Sequence, residues 1–163
     1  DVEVLRKHHG CWPAVIVIDY ADILRANESL DTENQIQETV YKNLSTLAGR
    51  NDGYALWTAS QSKRLEKAKT DPNFLIHGHD VADGIGKVRI FDFYGSWNRT
   101  IEEATACRGR LFGEAYRFGG GGKVVQIETD FANGRFLRNI LASSVVQPTP
   151  EQIAEYAGYG YAA

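Results

Sequence analysis

The apolar run Ala14-Val15-Ile16-Val17-Ile18 ends abruptly in Asp19, and the run Tyr54-Ala55-Leu56-Trp57-Thr58-Ala59 ends in Ser60-Gln61. A carboxylate in such a position can hold a divalent cation. A carboxamide can donate to a phosphate oxygen and accept from water without changing its charge. Just beyond Gln61 the chain turns basic, with Lys63, Arg64, Lys67 and Lys69. Lys63, Arg64 and Lys67 lie within helical reach of one another, so they can contact successive phosphates of a nucleic acid backbone. No aromatic residue interleaves them, which points to backbone contact and away from base stacking. Blander readings stand beside these: a core strand followed by an acidic cap for Asp19, a polar strand end for Gln61, and a solvated helix offset by Glu66 for the cations.

The elements that position these residues can be read from periodicity. The first run is apolar on both faces, which predicts a fully buried strand of a parallel sheet. In open α/β sheets ligands bind beyond the carboxyl ends of the strands, which places Asp19 on a binding rim. Between the two runs, Thr32 and Gln35 form a capping-box pattern, Ile36, Val40, Leu44 and Leu47 repeat at helical spacing, and Gly49 stands at the helix end. Strand, helix and strand with a short connection predict a parallel crossover, which brings Gln61 to the same rim as Asp19. Farther on, a third strand is expected over Val88 to Tyr94. A hairpin is expected over Arg110 to Ile127, because the connection Gly119-Gly120-Gly121-Gly122 is too short for a parallel crossover. Lys123 follows those glycines, but Val124 replaces the Ser or Thr of a P-loop.

Several of these segments, in this order, resemble the ATPase domain of DnaB-type replicative helicases and their phage relatives. Val17-Ile18-Asp19-Tyr20-Ala21-Asp22 is similar to a Walker-B strand, and Ser60-Gln61 to the end of the strand that follows it. Asn98 to Glu103 looks like a short Thr-x-Glu-Glu helix, and Asp130 to Phe136 like the segment that closes the core. The resemblance spans Ala14 to Phe136. It implies an α/β, RecA-like, mostly parallel sheet flanked by helices, with a C-terminal antiparallel hairpin. Residues 1–140 would form the C-terminal part of that core, and 141–163 a linker and tail. It further implies ATP and Mg²⁺ as cofactors of the complete protein, with Asp19 on the metal and Gln61 sensing the terminal phosphate. Arg117 would be an arginine finger for the neighbouring subunit's nucleotide, and Lys63, Arg64, Lys67 and Lys69 would face single-stranded DNA. The implied assembly is a homo-oligomer, a hexamer in the complete protein. Ala115 departs from the pattern where the family has Lys, and Gly84, after Asp83, departs where it has Ser.

With 163 residues, 43% hydrophobic and 24% charged, the composition is that of a globular domain. A net charge of −3 means that nucleic acid binding must come from a local patch. No apolar run approaches the roughly 20 residues of a membrane span, and no signal peptide pattern opens the chain, so a cytoplasmic setting is expected. The sequence begins with Asp1 and contains no Met, which points to a fragment. No G-x-x-x-x-G-K-[ST] segment occurs in it, so this chain alone is expected to bind ATP weakly and not to hydrolyse it. A sheet face left uncovered would favour self-association. A non-catalytic RecA-related module that binds DNA or a helicase is the alternative function, and a recombinase or KaiC-like ATPase a further one.

Overall fold

The computed structural model describes residues 2–10, 13–27, 30, 32–49, 54–82, 85–116 and 121–146. The chain divides into two compact units, Asp1–Gln61 and Ser62–Ala163. The first contains helix α1 (Val2–His9), strand β1 (Val15–Ile18), helix α2 (Glu33–Ala48) and strand β2 (Ala55–Thr58). β1 and β2 pair in parallel, with Val15 opposite Ala55 and Ile18 opposite Thr58, and α2 is the crossover between them.

Helix α2 starts where its cap dictates. The Thr32 hydroxyl accepts from the Gln35 N–H at 3.3 Å, and the Gln35 side chain accepts from the Thr32 N–H at 3.2 Å. This reciprocal pair satisfies donors that the first turn leaves orphaned. Gly49 closes the helix in right-handed geometry, φ −80°, and so needs none of glycine's special freedom. Val40 of the expected apolar stripe is buried, but the other buried residues of α2 are Gln37 and Tyr41.

The expectation that β1 is buried on both faces is not met. Exposure alternates along both strands, and Val17 and Trp57, register partners, are 71% and 53% exposed. Val15 and Ala55 lie exposed on the same face, while Ile16, Ile18, Leu56 and Thr58 lie half-buried on the other. A period-2 alternation hides in an all-apolar run because Val and Ile suit both a covered and an open face.

The second unit is built on a four-stranded sheet of strands β3 (Phe93–Asn98), β4 (Arg108–Tyr116), β5 (Lys123–Asp130) and β6 (Arg135–Val145), in the order β3-β4-β5-β6. Every pairing is antiparallel. This overturns the expected mostly parallel, RecA-like sheet flanked by helices. One parallel pair stands in the first unit, and a separate antiparallel meander makes the second. The connections give the reason. Residues 99–107, 117–122 and 131–134 are each shorter than the dozen or so residues that a parallel return requires. The third strand also lies later than expected: Ile85–Ile90 coils into a 3₁₀ helix, with Val88 buried in it, and extended backbone begins only at Phe93.

Between β2 and β3 the chain makes helix α3 (Glu66–Thr70), and between β3 and β4 helix α4 (Ile101–Thr105). Thr100 caps α4 and forms a capping box with Glu103. Phe112, Val124 and Ile127 are buried in the sheet's core, together with Thr129 and Arg110. Arg110 is paired with Glu103 (Nε–Oε1, 2.8 Å) and donates to the carbonyls of Pro72 and Phe74. Gly134, φ +69°, turns the chain from Phe131–Asn133 into β6, a left-handed position that glycine takes without a Cβ penalty. The segment from Asp130 to Phe136 does not close a core: Phe131 and Phe136 are exposed, and the Phe136 ring lies 4.8 Å from that of Trp97.

Candidate functional site

The parallel pair delivers two polar strand ends to one rim. Ile18 sits opposite Thr58, so Asp19 leaves β1 where Ala59, Ser60 and Gln61 leave β2. Thr58 ties the two ends together. Its hydroxyl accepts from the Ala21 N–H and donates to the Ile18 carbonyl, both at 2.9 Å. The Asp19–Tyr20 peptide is cis.

Asp19 is exposed, and among the described residues no hydrogen bond or ion pair engages its carboxylate. Asp22, three residues on, is fully engaged. Its Oδ1 accepts from the Tyr41 hydroxyl at 2.8 Å, and its Oδ2 from the Ser60 hydroxyl at 2.8 Å and the Gln61 N–H at 3.2 Å. Its own carbonyl accepts from the Gln37 side chain at 2.9 Å. Burial, and then the hydrogen bond to the Asp22 carboxylate, push the Tyr41 hydroxyl well above the ordinary tyrosine range, so Tyr41 is a neutral donor at any physiological pH. The Gln61 carboxamide donates to the Tyr20 hydroxyl at 3.3 Å. Two carboxylates on one turn therefore have different tasks. Asp22 is consumed in joining β1, α2 and the end of β2, while both Asp19 oxygens are without a partner among the described residues.

Among the described residues, no three His, Cys, Asp or Glu side chains group as a metal cage. Magnesium that travels with a nucleotide needs no such cage. It takes one or two carboxylates and draws its other ligands from phosphate and water, which the single, uncommitted Asp19 fits.

The basic residues are not arranged as expected. α3 begins only at Glu66, so Lys63 and Arg64 precede it, and the three cations do not share a helix. The backbone there is pinned elsewhere: Ser62 bridges to Val81, and the Lys63 N–H donates to the Asp80 carbonyl at 2.7 Å. The Lys63 ammonium donates to the His79 carbonyl at 3.0 Å, and Lys69 pairs with Glu66 at 2.9 Å. Arg64 and Lys67 are exposed. Arg117 lies outside the described residues, as do Asp83 and Gly84.

The structure also gathers a second polar cluster around Glu114, a residue that sequence reading passed over. Glu114, buried on β4, accepts from the Gly78 N–H at 2.7 Å and contacts His77 Nδ1 at 2.9 Å. The His77 N–H donates to Asp80 at 2.9 Å, and the His79 ring stacks on that of His77 at 5.6 Å. Burial, then the Glu114 and Asp80 charges, raise the nearby Tyr94 hydroxyl above its usual range. A carboxylate at an inward-facing strand position and the i, i+2 spacing of His77 and His79 are the signs of this cluster in the sequence. Asp22 and Tyr41 left a similar sign: an acid directly after a rim, and a tyrosine on the apolar stripe of the crossover helix.

No protein-family model matches this chain, and no curated protein matches it.

Proposed function

We propose that this chain is part of an ATP-dependent, ring-forming replicative DNA helicase motor, in which it supplies one side of a nucleotide site. The observation that carries this reading is the rim itself. A carboxylate with no partner among the described residues, Asp19, and a carboxamide, Gln61, stand at the carboxyl ends of two adjacent parallel strands, where open α/β units bind ligands. Bound Mg²⁺ would neutralise charge on the nucleotide's phosphates. Asp19 would hold that ion, Gln61 would orient toward the terminal phosphate, and Arg117 would stabilise charge in a neighbouring subunit's site, as the resemblance to DnaB-type helicases implies. Arg64 and Lys67, with Lys63 and Lys69, would track the backbone of single-stranded DNA. The working form in this reading is a homo-oligomer, a hexamer, in bacterial cytoplasm. Among the described residues, no helix is long and apolar enough to cross a membrane.

One observation favours a second reading, a non-catalytic module that binds DNA or a helicase subunit. The exposed cations sit in the unit built on an antiparallel sheet, the half of the chain that departs from the expected fold. ATP hydrolysis with and without single-stranded DNA separates the two, measured on this chain and on a version extended upstream in its reading frame. The motor reading expects turnover from the extended version, lost in Arg117→Ala and restored by mixing with Asp19→Ala. An extended version that binds DNA and never turns over would establish the module instead.

A further inference from the structure

We infer that Asp22 and Tyr20 are positioning residues for Gln61, holding the terminal-phosphate sensor at two points so that only its side chain moves when a nucleotide arrives. The inference rests on the nucleotide reading of the rim and assigns that rim its mode of regulation.

The backbone of Gln61 is fixed by its N–H, which donates to Asp22 Oδ2 at 3.2 Å. Ser60, the residue before it, is fixed to the same oxygen through its hydroxyl at 2.8 Å. Asp22 is itself held from α2 by Tyr41, which is only 1% exposed and cannot easily withdraw. The main chain at Gln61 is therefore tied to the crossover helix and to the end of β1. Among the described residues the side chain has a single weaker attachment, the 3.3 Å bond to the Tyr20 hydroxyl, and it is exposed. A long neutral bond at an exposed site is exchanged readily for a charge-assisted bond to a phosphate oxygen. Tyr20 adjoins Asp19 in the chain, so the parking position of the carboxamide lies next to the residue that would hold the metal. The terminal phosphate thus competes with Tyr20 for Gln61, while Asp22 keeps the backbone in place through the exchange.

The test is the ratio of affinities for Mg·ATP and Mg·ADP, measured on this chain by titration followed through backbone amide signals. Mg·ADP lacks the phosphate that Gln61 meets, so its affinity serves as the control for an intact fold. The wild type should favour Mg·ATP by about fivefold, the worth of one net hydrogen bond, and Gln61→Ala should bring the ratio to about one. Asp22→Asn should lower the ratio by about threefold or more with no fall in Mg·ADP affinity, on the same scale of one hydrogen bond. Removing a negative charge near phosphates would by itself raise affinity for the more highly charged ATP, so a fall has the sign of lost positioning and not of lost repulsion. Tyr20→Phe should raise the ratio by about twofold, because it removes the competitor, a bond at the weak end of the range. In a Gln61→Ala background Tyr20→Phe should leave the ratio unchanged and Asp22→Asn should no longer lower it. If Asp22→Asn does not fold, Ser60→Ala and Tyr41→Phe each weaken the same hold and should shift the ratio the same way. A wild type that binds neither nucleotide, or binds both equally, overturns the nucleotide reading and this inference with it. A wild type that discriminates through Gln61, with Asp22 and Tyr20 variants that leave the ratio alone, overturns the inference and leaves the reading standing.

Discussion

The carboxylate of Asp22 accepts the hydroxyl of Ser60 at 2.8 Å across a sequence separation of 38 residues. With Tyr41 on the other oxygen, it makes the first unit's rim one hydrogen-bonded assembly instead of two loose strand ends. A carboxylate that accepts three donors is costly to remove, since all three lose their acceptor and the Tyr41 and Ser60 hydroxyls lie in a part-buried setting. Asp22→Ala should therefore destabilise the first unit by about 3 kcal/mol, and Tyr41→Phe by about 1 kcal/mol. Urea midpoints followed by near-ultraviolet circular dichroism would check this, and equal small losses for both would show that the bonds do not act as described.

High pH should act through the same contact. Tyr41 and Tyr94 both ionise above the ordinary tyrosine value of about 10, chiefly because they are buried. A group whose folded pKa is raised contributes its full stability below its unfolded pKa and loses it as pH climbs toward the folded one. Stability should thus be level through neutral pH and fall steeply above about pH 10. Tyr41→Phe should flatten that fall, as read from denaturant midpoints across the alkaline range. An unchanged alkaline slope in Tyr41→Phe would count against a raised Tyr41.

Packing of the antiparallel sheet gives a third expectation. Gly109 lies under the Trp97 ring, and a Cβ built there would overlap it. Gly109→Ala should cost about 1–3 kcal/mol through overpacking, with Trp97 displaced from Phe136. A melting temperature and tryptophan emission equal to wild type would refute it.

Local structure was legible in the sequence, and its assembly was not. The capping box of Thr32 with Gln35 depends on residues three apart, and α2 starts where that pair places it; α4 follows Thr100, in the segment that resembles a short Thr-x-Glu-Glu helix. The parallel crossover was legible too, because a long amphipathic helix between two short apolar runs has few other solutions. What failed is information that lies between segments. Val15 and Val17 read as core because apolar residues are silent about which face is covered. Phe93 to Asn98 carries Gly95, Ser96 and Asn98, poor strand formers whose place in β3 is decided by pairing with β4. At the site, Asp19 and Gln61 were legible as strand ends. Asp22 was legible as an acid just past the rim, but its task was not, since Tyr41 and Ser60 define it and both are distant in sequence.

DNA binding should follow exposure and pairing more than sequence order. Arg64→Ala and Lys67→Ala should each reduce the salt dependence of single-stranded DNA binding by about 0.7 in slope. Lys69→Ala should do less, because Lys69 is already paired with Glu66. Fluorescence anisotropy of labelled oligothymidine at several salt concentrations reads this directly, and a slope indifferent to all three would remove this surface from consideration.

The claim that Asp19 receives the nucleotide's metal can be put to a single test: paramagnetic broadening of amide signals by Mn²⁺ supplied with ATP. Broadening centred on Asp19, Tyr20 and Gln61 in the wild type, and abolished in Asp19→Asn, is the result the proposed metal site predicts. Broadening spread over other surface carboxylates, or persisting undiminished in Asp19→Asn, would contradict it.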